Sequence, residues 1–182
     1  MRLASGSILI TALLAMTGAA VGGPFEDGEA AFDRKDYTAA FQLWRPLADH
    51  GYASAQARLG LLYAAGQGVS QDNAEAMRWY RKAAEQGFTP AQTHLGLMYT
   101  KGLGVPLNNA EAVKWLRLAA DRGDAQAQIN LGGIYAYTGG QEVPQDYAEA
   151  MKWHRKAADQ GLAIAQEGLG QMYASGLAAC RT

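Results

Sequence analysis

Ala55-Gln56-Ala57-Arg58-Leu59-Gly60-Leu61-Leu62-Tyr63, then Gly66-Gln67-Gly68-Val69, then Asp72-Asn73-Ala74-Glu75-Ala76-Met77-Arg78-Trp79-Tyr80 form the stretch that decides the fold. In its first part Ala55, Leu59, Gly60 and Tyr63 recur at helical spacing, which predicts a helix over about 53–64 with one apolar face. The glycines then break it, because glycine enters the left-handed region that closes a helix at little cost, and Val69 is placed to tuck into the junction. Asp72 opens a second helix as its N-cap, with Glu75 in register to reach back as a capping box. Ala76, Trp79, Tyr80 and Ala83 make the buried stripe of that helix, and Gly87 stops it. The unit is a helical hairpin.

The same pattern returns along the chain. Leu59-Gly60, Leu95-Gly96 and Leu131-Gly132 lie 36 residues apart, and Leu169-Gly170 follows 38 later. Tyr63, Tyr99, Tyr135 and Tyr173 keep one offset, and so do Trp79, Trp115 and Trp153. Asn108 with Glu111, and Asp146 with Glu149, repeat the capping arrangement. A single hairpin cannot bury enough apolar surface to offset the entropy of ordering it, so the units must stack, each touching its neighbours.

This register divides the chain into 52–87, 88–123 and 124–161, the last with two extra residues in its turn between Tyr137 and Val143. Residues 25–51 read as a degenerate capping unit whose first helix ends near Arg34 and whose second begins at Asp36. Pro46 falls inside that second helix and predicts a kink or an early end. Residues 162–182 read as a partial unit. Residues 1–22 have the layout of a signal peptide, with Arg2, an apolar run from Ile8 to Met16, and small residues after it. That places the protein in the periplasm or outside the cell, with no membrane span after removal, since the run is too short to cross a bilayer.

The pattern Ala-Gln-x-x-Leu-Gly-x-x-Tyr, Gly-x-Gly-Val, Asp-x-Ala-Glu-Ala-x-x-Trp, Ala-Ala-x-x-Gly resembles Sel1-like repeats, relatives of tetratricopeptide repeats. The resemblance covers about Tyr52 to the end and, less closely, Phe25 to Gly51. It implies an all-α fold, an α/α superhelical solenoid of Sel1-like hairpins, and an adaptor role in binding a protein or peptide. By analogy with tetratricopeptide packing, the first helices line the concave surface. The groove candidates are then Ala57, Leu61, Thr93, Leu97, Lys101, Gln126, Ile129 and Tyr137, with Ala64, Thr100, Gly133, Glu167 and Gln171 beside them. Small apolar and polar groups in such a strip suit an extended peptide or a partner helix.

Other chemistry is poorly supported. The net charge is -1, with Lys and Arg interleaved among Asp and Glu, so no basic face for nucleic acid is visible. No His-Glu-x-x-His run suggests a metal, and no cofactor motif is present. His94 is expected to face solvent, His154 to be a half-buried packing residue, and His50 to end a helix where a positive ring suits the dipole. Ser54, Ser70 and Ser175 lie in neither Gly-x-Ser-x-Gly nor Ser-x-x-Lys, so no catalytic residue is assigned. The alternative reading is a cell-wall-directed hydrolase of the β-lactamase type, an activity assigned to cysteine-rich relatives. Those relatives carry a Cys pair in each repeat, whereas this chain has only Cys180. That thiol suggests a homodimer through the C-terminal end, closed by an intermolecular disulfide.

Overall fold

The computed structural model describes residues 22–137 and 143–176. The signal-peptide reading (apart from Gly22), most of the inserted turn, and Cys180 with its dimer lie outside the described residues.

Nine helices occur among the described residues, with no strand. They are α1 (Pro24–Asp33), α2 (Tyr37–Asp49), α3 (Ala53–Ala65), α4 (Asn73–Glu85), α5 (Thr89–Lys101), α6 (Asn109–Ala120), α7 (Ala125–Tyr137), α8 (Tyr147–Asp159) and α9 (Ala163–Ala174). Successive pairs form hairpins, α1 with α2, α3 with α4, α5 with α6 and α7 with α8, and α9 docks on α8. None is long and apolar enough to cross a membrane, among the described residues.

Each second helix starts where its cap residue stands. Asp72 accepts from the backbone N–H of Ala74 and Glu75, Asn108 from Glu111 and Asp146 from Glu149. The glutamates do not reach back to complete the box. Glu75 and Glu149 instead turn down their own helices to Arg78 (2.6 Å) and Lys152 (2.9 Å), since a cation one turn on competes for the carboxylate. Pro46 does not end α2, which runs on to Asp49. There the Pro46 carbonyl accepts from the His50 backbone N–H, and the His50 ring Nδ1 lies 2.7 Å from the same oxygen.

The apolar repeat residues fill the interior. Leu59, Leu95, Leu116, Leu131, Trp44 and Trp153 are buried almost completely, and Trp79 and Tyr80 nearly so. Tyr63, Trp115 and Tyr135 are half-buried at the edges of that core. Inside each hairpin a glycine lets the second helix close in. Gly60 receives the ring of Tyr80, Gly96 the side chain of Leu116 and Gly132 the ring of His154, where an added Cβ would lie 2.9, 2.5 and 2.6 Å from those groups. His154 is therefore a buried packing residue, 6 % exposed, deeper than its sequence suggested.

Polar links recur at the seams between hairpins. Gln56, Gln92 and Gln128 each donate to a carbonyl in the last turn of the preceding second helix, Ala48, Ala84 and Ala120, at 3.1 to 3.2 Å. Those carbonyls also accept from the backbone N–H of Gly51, Gly87 and Gly123 just past each helix, so each amide adds a second bond at the helix end. Arg81, Arg117 and Arg155 donate to the phenol oxygens of Tyr99, Tyr135 and Tyr173 in the following hairpin. The interhelix turn closes the same seam from its other end. Gly104, at φ 74°, comes so near the start of α4 that a Cβ there would lie 2.4 Å from the Asn73 carbonyl oxygen. Only glycine satisfies both the left-handed backbone and the contact. The first helices α5 and α7 also touch each other directly, which sets these two on the inner side of the stack.

Candidate partner-binding groove

Because the hairpins repeat in register, equivalent positions on α3, α5, α7 and α9 form rows along the inner side. One row is Ala57, Thr93, Ile129 and Glu167, another is Leu61, Leu97, Gly133 and Gln171, and a third is Ser54, Pro90, Gln126 and Ile164. Their exposure changes along the stack. Ala57 and Thr93 are buried, 9 % and 5 % exposed, so they offer a partner almost no surface. Ala57 belongs to the main core, and the Thr93 hydroxyl lies 3.4 Å from the Thr89 carbonyl. They read as surface from the sequence because small side chains carry no amphipathic signature, whereas in the stack both are buried. Leu61 is half-buried against the core. Leu97 and Ile129 are half-buried, and Lys101, Gln126 and Tyr137 are exposed.

The surface opens toward α9. Thr100 of α5, Ile129, Gly133 and Tyr137 of α7, His154 of α8, and Ile164, Glu167 and Gln171 of α9 line a cleft of about 490 Å³. Tyr137 and Ile164 at its edge are 68 % and 63 % exposed, large apolar side chains that the fold leaves in water. The Asn130 side chain donates to the Gln126 carbonyl (2.7 Å), and Thr100 to the Leu97 carbonyl (2.8 Å), so these polar groups are held by their own helices. The sequence placed several of these residues in the strip but missed His154 and Ile164. Ile164 was legible as the fourth member of the row of Ser54, Pro90 and Gln126.

His154 sits at the base of the cleft. Its Nδ1 is buried without a hydrogen-bond partner, and desolvation holds the imidazole pKa below its usual value. His94 remains exposed, as expected, yet its ring stacks on Tyr80 at 4.9 Å between centroids. That crowding desolvates the ring and lowers its pKa, with Asp124 acting the other way. Among the described residues no group of three or more His, Cys, Asp or Glu could hold a metal ion. Beside its apolar walls the cleft carries one carboxylate, Glu167, and two side-chain amides, Asn130 and Gln171.

The Sel1 repeat family matches residues 20–52, 53–88, 89–124 and 125–162, spans that contain the four helical hairpins. The chain belongs to the Sel1 repeat family. Sel1 repeat proteins are generally protein-interaction scaffolds and typically non-enzymatic. Solved Sel1 repeat structures resemble this chain in fold. A protective antigen present in uropathogenic Escherichia coli strains is 42 % identical over 84 % of this chain, with a TM-score of 0.79. A Sel1 repeat protein from Oxalobacter formigenes is 34 % identical over 84 %, with a TM-score of 0.76. A Klebsiella pneumoniae Sel1 repeat protein, 24 % identical with a TM-score of 0.60, shares the fold. The match spans 33 % of the E. coli antigen, 61 % of the Oxalobacter protein and 74 % of the Klebsiella one. Among curated proteins, none matches this chain.

Proposed function

We propose that this Sel1 repeat protein is an exported scaffold, periplasmic or secreted, that binds a partner protein or peptide along the inner face of its first helices. The observation that carries the reading is a contrast: Leu59, Leu95, Leu131, Trp79 and Trp153 are buried within the stack, while Tyr137 and Ile164 stand in water beside an open cleft. Large apolar groups grouped at a concavity are the usual anchors of a protein interface. Lys101 and Gln126, on the first helices α5 and α7, are also exposed and would add polar contacts to a partner lying along them.

Crosslinking in the native cell envelope followed by mass spectrometry tests this, comparing the intact protein with a Leu97→Glu, Tyr137→Glu double variant. The expected outcome is a partner enriched with the intact protein and lost with a variant of unchanged helical content. The same partners at the same yield with both proteins would refute the groove. Export is checked separately, by a mass for the mature protein that lacks residues 1–22.

A further inference from the structure

The cleft over His154 exists because two places filled elsewhere in the stack are vacated. Where α3 and α5 carry Leu61 and Leu97, α7 carries Gly133. Where α3, α5 and α7 carry Arg58, His94 and Asn130, α9 carries Gly168. His94 in that place stacks on Tyr80, whereas Gly168 leaves the equivalent His154 uncovered by any side chain from its position. The two glycines have different explanations. A Cβ on Gly168 would sit 3.2 Å from the His154 ring, so the imidazole itself keeps that position small. A Cβ on Gly133 would meet nothing within 4 Å. Gly133 also lies in the middle of α7 at no left-handed angle, where glycine is among the poorest helix formers. Neither a turn nor a close approach accounts for it, and it leaves no side chain where the two preceding hairpins carry the half-buried Leu61 and Leu97.

The walls of that space say what it suits. Ile129, Tyr137 and Ile164 present apolar surface, and Glu167 is the one charged side chain among the described residues lining it. Among the described residues Glu167 forms no ion pair, and a long contact of 3.4 Å reaches it from Gln171. A carboxylate at the edge of an apolar cleft attracts a cation and repels an anion.

We propose that this cleft is a specificity pocket for a bulky apolar side chain of the partner, with a neighbouring lysine or arginine paired to Glu167. The proposal rests on the partner-binding reading above and narrows it to one class of segment, basic and apolar together. Acidic segments and nucleic acid are disfavoured by the same carboxylate.

The test uses displayed libraries of short random peptides, panned on the full chain. The selected peptides, labelled with fluorescein, are then titrated by anisotropy against wild type, Gly133→Leu, Glu167→Lys and Leu97→Glu. Gly133→Leu restores the residue of the preceding hairpins and improves the helix, so its thermal midpoint should equal or exceed that of wild type. The expected result is a selected set that places Leu, Ile, Met or Phe beside Lys or Arg. Such peptides should lose at least about tenfold in affinity to Gly133→Leu. Glu167→Lys should weaken them by a similar factor, with the difference shrinking in salt. Peptides that bind Gly133→Leu within about twofold of wild type, yet lose binding to Leu97→Glu, would overturn the pocket and leave the groove standing. A selected set rich in Asp and Glu would overturn the role of Glu167. Peptides indifferent to all three substitutions, or no selected peptide at all, would sink both readings.

Discussion

Tyr80 and His154 occupy the same place in two hairpins, each pressed onto a glycine of the partner helix, and the stack around them differs sharply. In the α3–α4 hairpin the Tyr80 ring fills the notch at Gly60 and is covered by His94, and burial raises its phenol pKa above the ordinary value. In the α7–α8 hairpin His154 fills the notch at Gly132, Gly168 stands where His94 would be, and Nδ1 is left buried and unpaired. Leu116 holds the position between them with no polar atom at all. One backbone notch thus accepts a phenol, an isobutyl group and an imidazole. What changes is the cost of the polar atoms and the space above them.

That comparison breaks most easily at its apolar member. Leu116→Ala should lower stability by about 2 to 5 kcal/mol, because Leu116 is fully buried and the rigid notch at Gly96 cannot collapse onto the gap. Urea unfolding followed by circular dichroism reads the shift. His154→Leu tests the other end by installing the residue of the preceding hairpin. Removing a buried nitrogen without a partner should raise stability by roughly 1 to 2 kcal/mol, seen as a higher thermal midpoint at neutral pH. A lower midpoint would mean that the imidazole holds the α7–α9 seam in a way its missing partner does not suggest.

A smaller effect is the pH dependence. Burial keeps the folded-state pKa of His154 below the unfolded value of about 6.5, so the unfolded chain takes up the proton first as pH falls. Stability should therefore be intact above about pH 6.5 and decline as pH drops toward the lowered folded pKa. Glu167 on α9 and Tyr137 on α7 are the other titratable groups lining its cleft. His94 shifts in the same direction, so the measurement is the difference between wild type and His154→Leu at pH 5 and pH 7.5. Wild type should lose more of its thermal midpoint. Smallest of all, Tyr135→Phe removes the acceptor of Arg117 at an exposed seam and should cost only about 0.5 to 1 kcal/mol by urea unfolding. A larger loss would make these arginines a principal bond between hairpins.

The hairpin was legible because its marks are local. Asp72 precedes its helix, glycines follow one, and Leu59 and Tyr63 share a face, so each can be read within a few residues. The bonds between hairpins were harder to see. Arg81 and Tyr99 are 18 residues apart and meet only once the angle between successive units is known. That angle also decides that Ala57 and Thr93 lie inside the stack while Tyr137 lies outside. The cleft was hidden for a different reason. Gly133 follows Gly132 in a chain rich in glycine, and one of the pair is required by His154 while the other touches nothing. Letters alone do not separate a glycine demanded by a neighbour from one that leaves a hole. The register did hold a signal, since Gly133 stands in a row with Leu61 and Leu97.

The amides of Gln56, Gln92 and Gln128, which bond helix ends across successive seams, have a mechanical consequence. Tension applied at the two termini would load those seams largely in series, since contacts among the described helices run chiefly between chain neighbours. The chain would then lengthen in steps, one hairpin at a time, each freeing about 120 Å of extended backbone from a unit of 36 residues. Under changing tension, such a stack would act as a spring whose increment is the repeat itself.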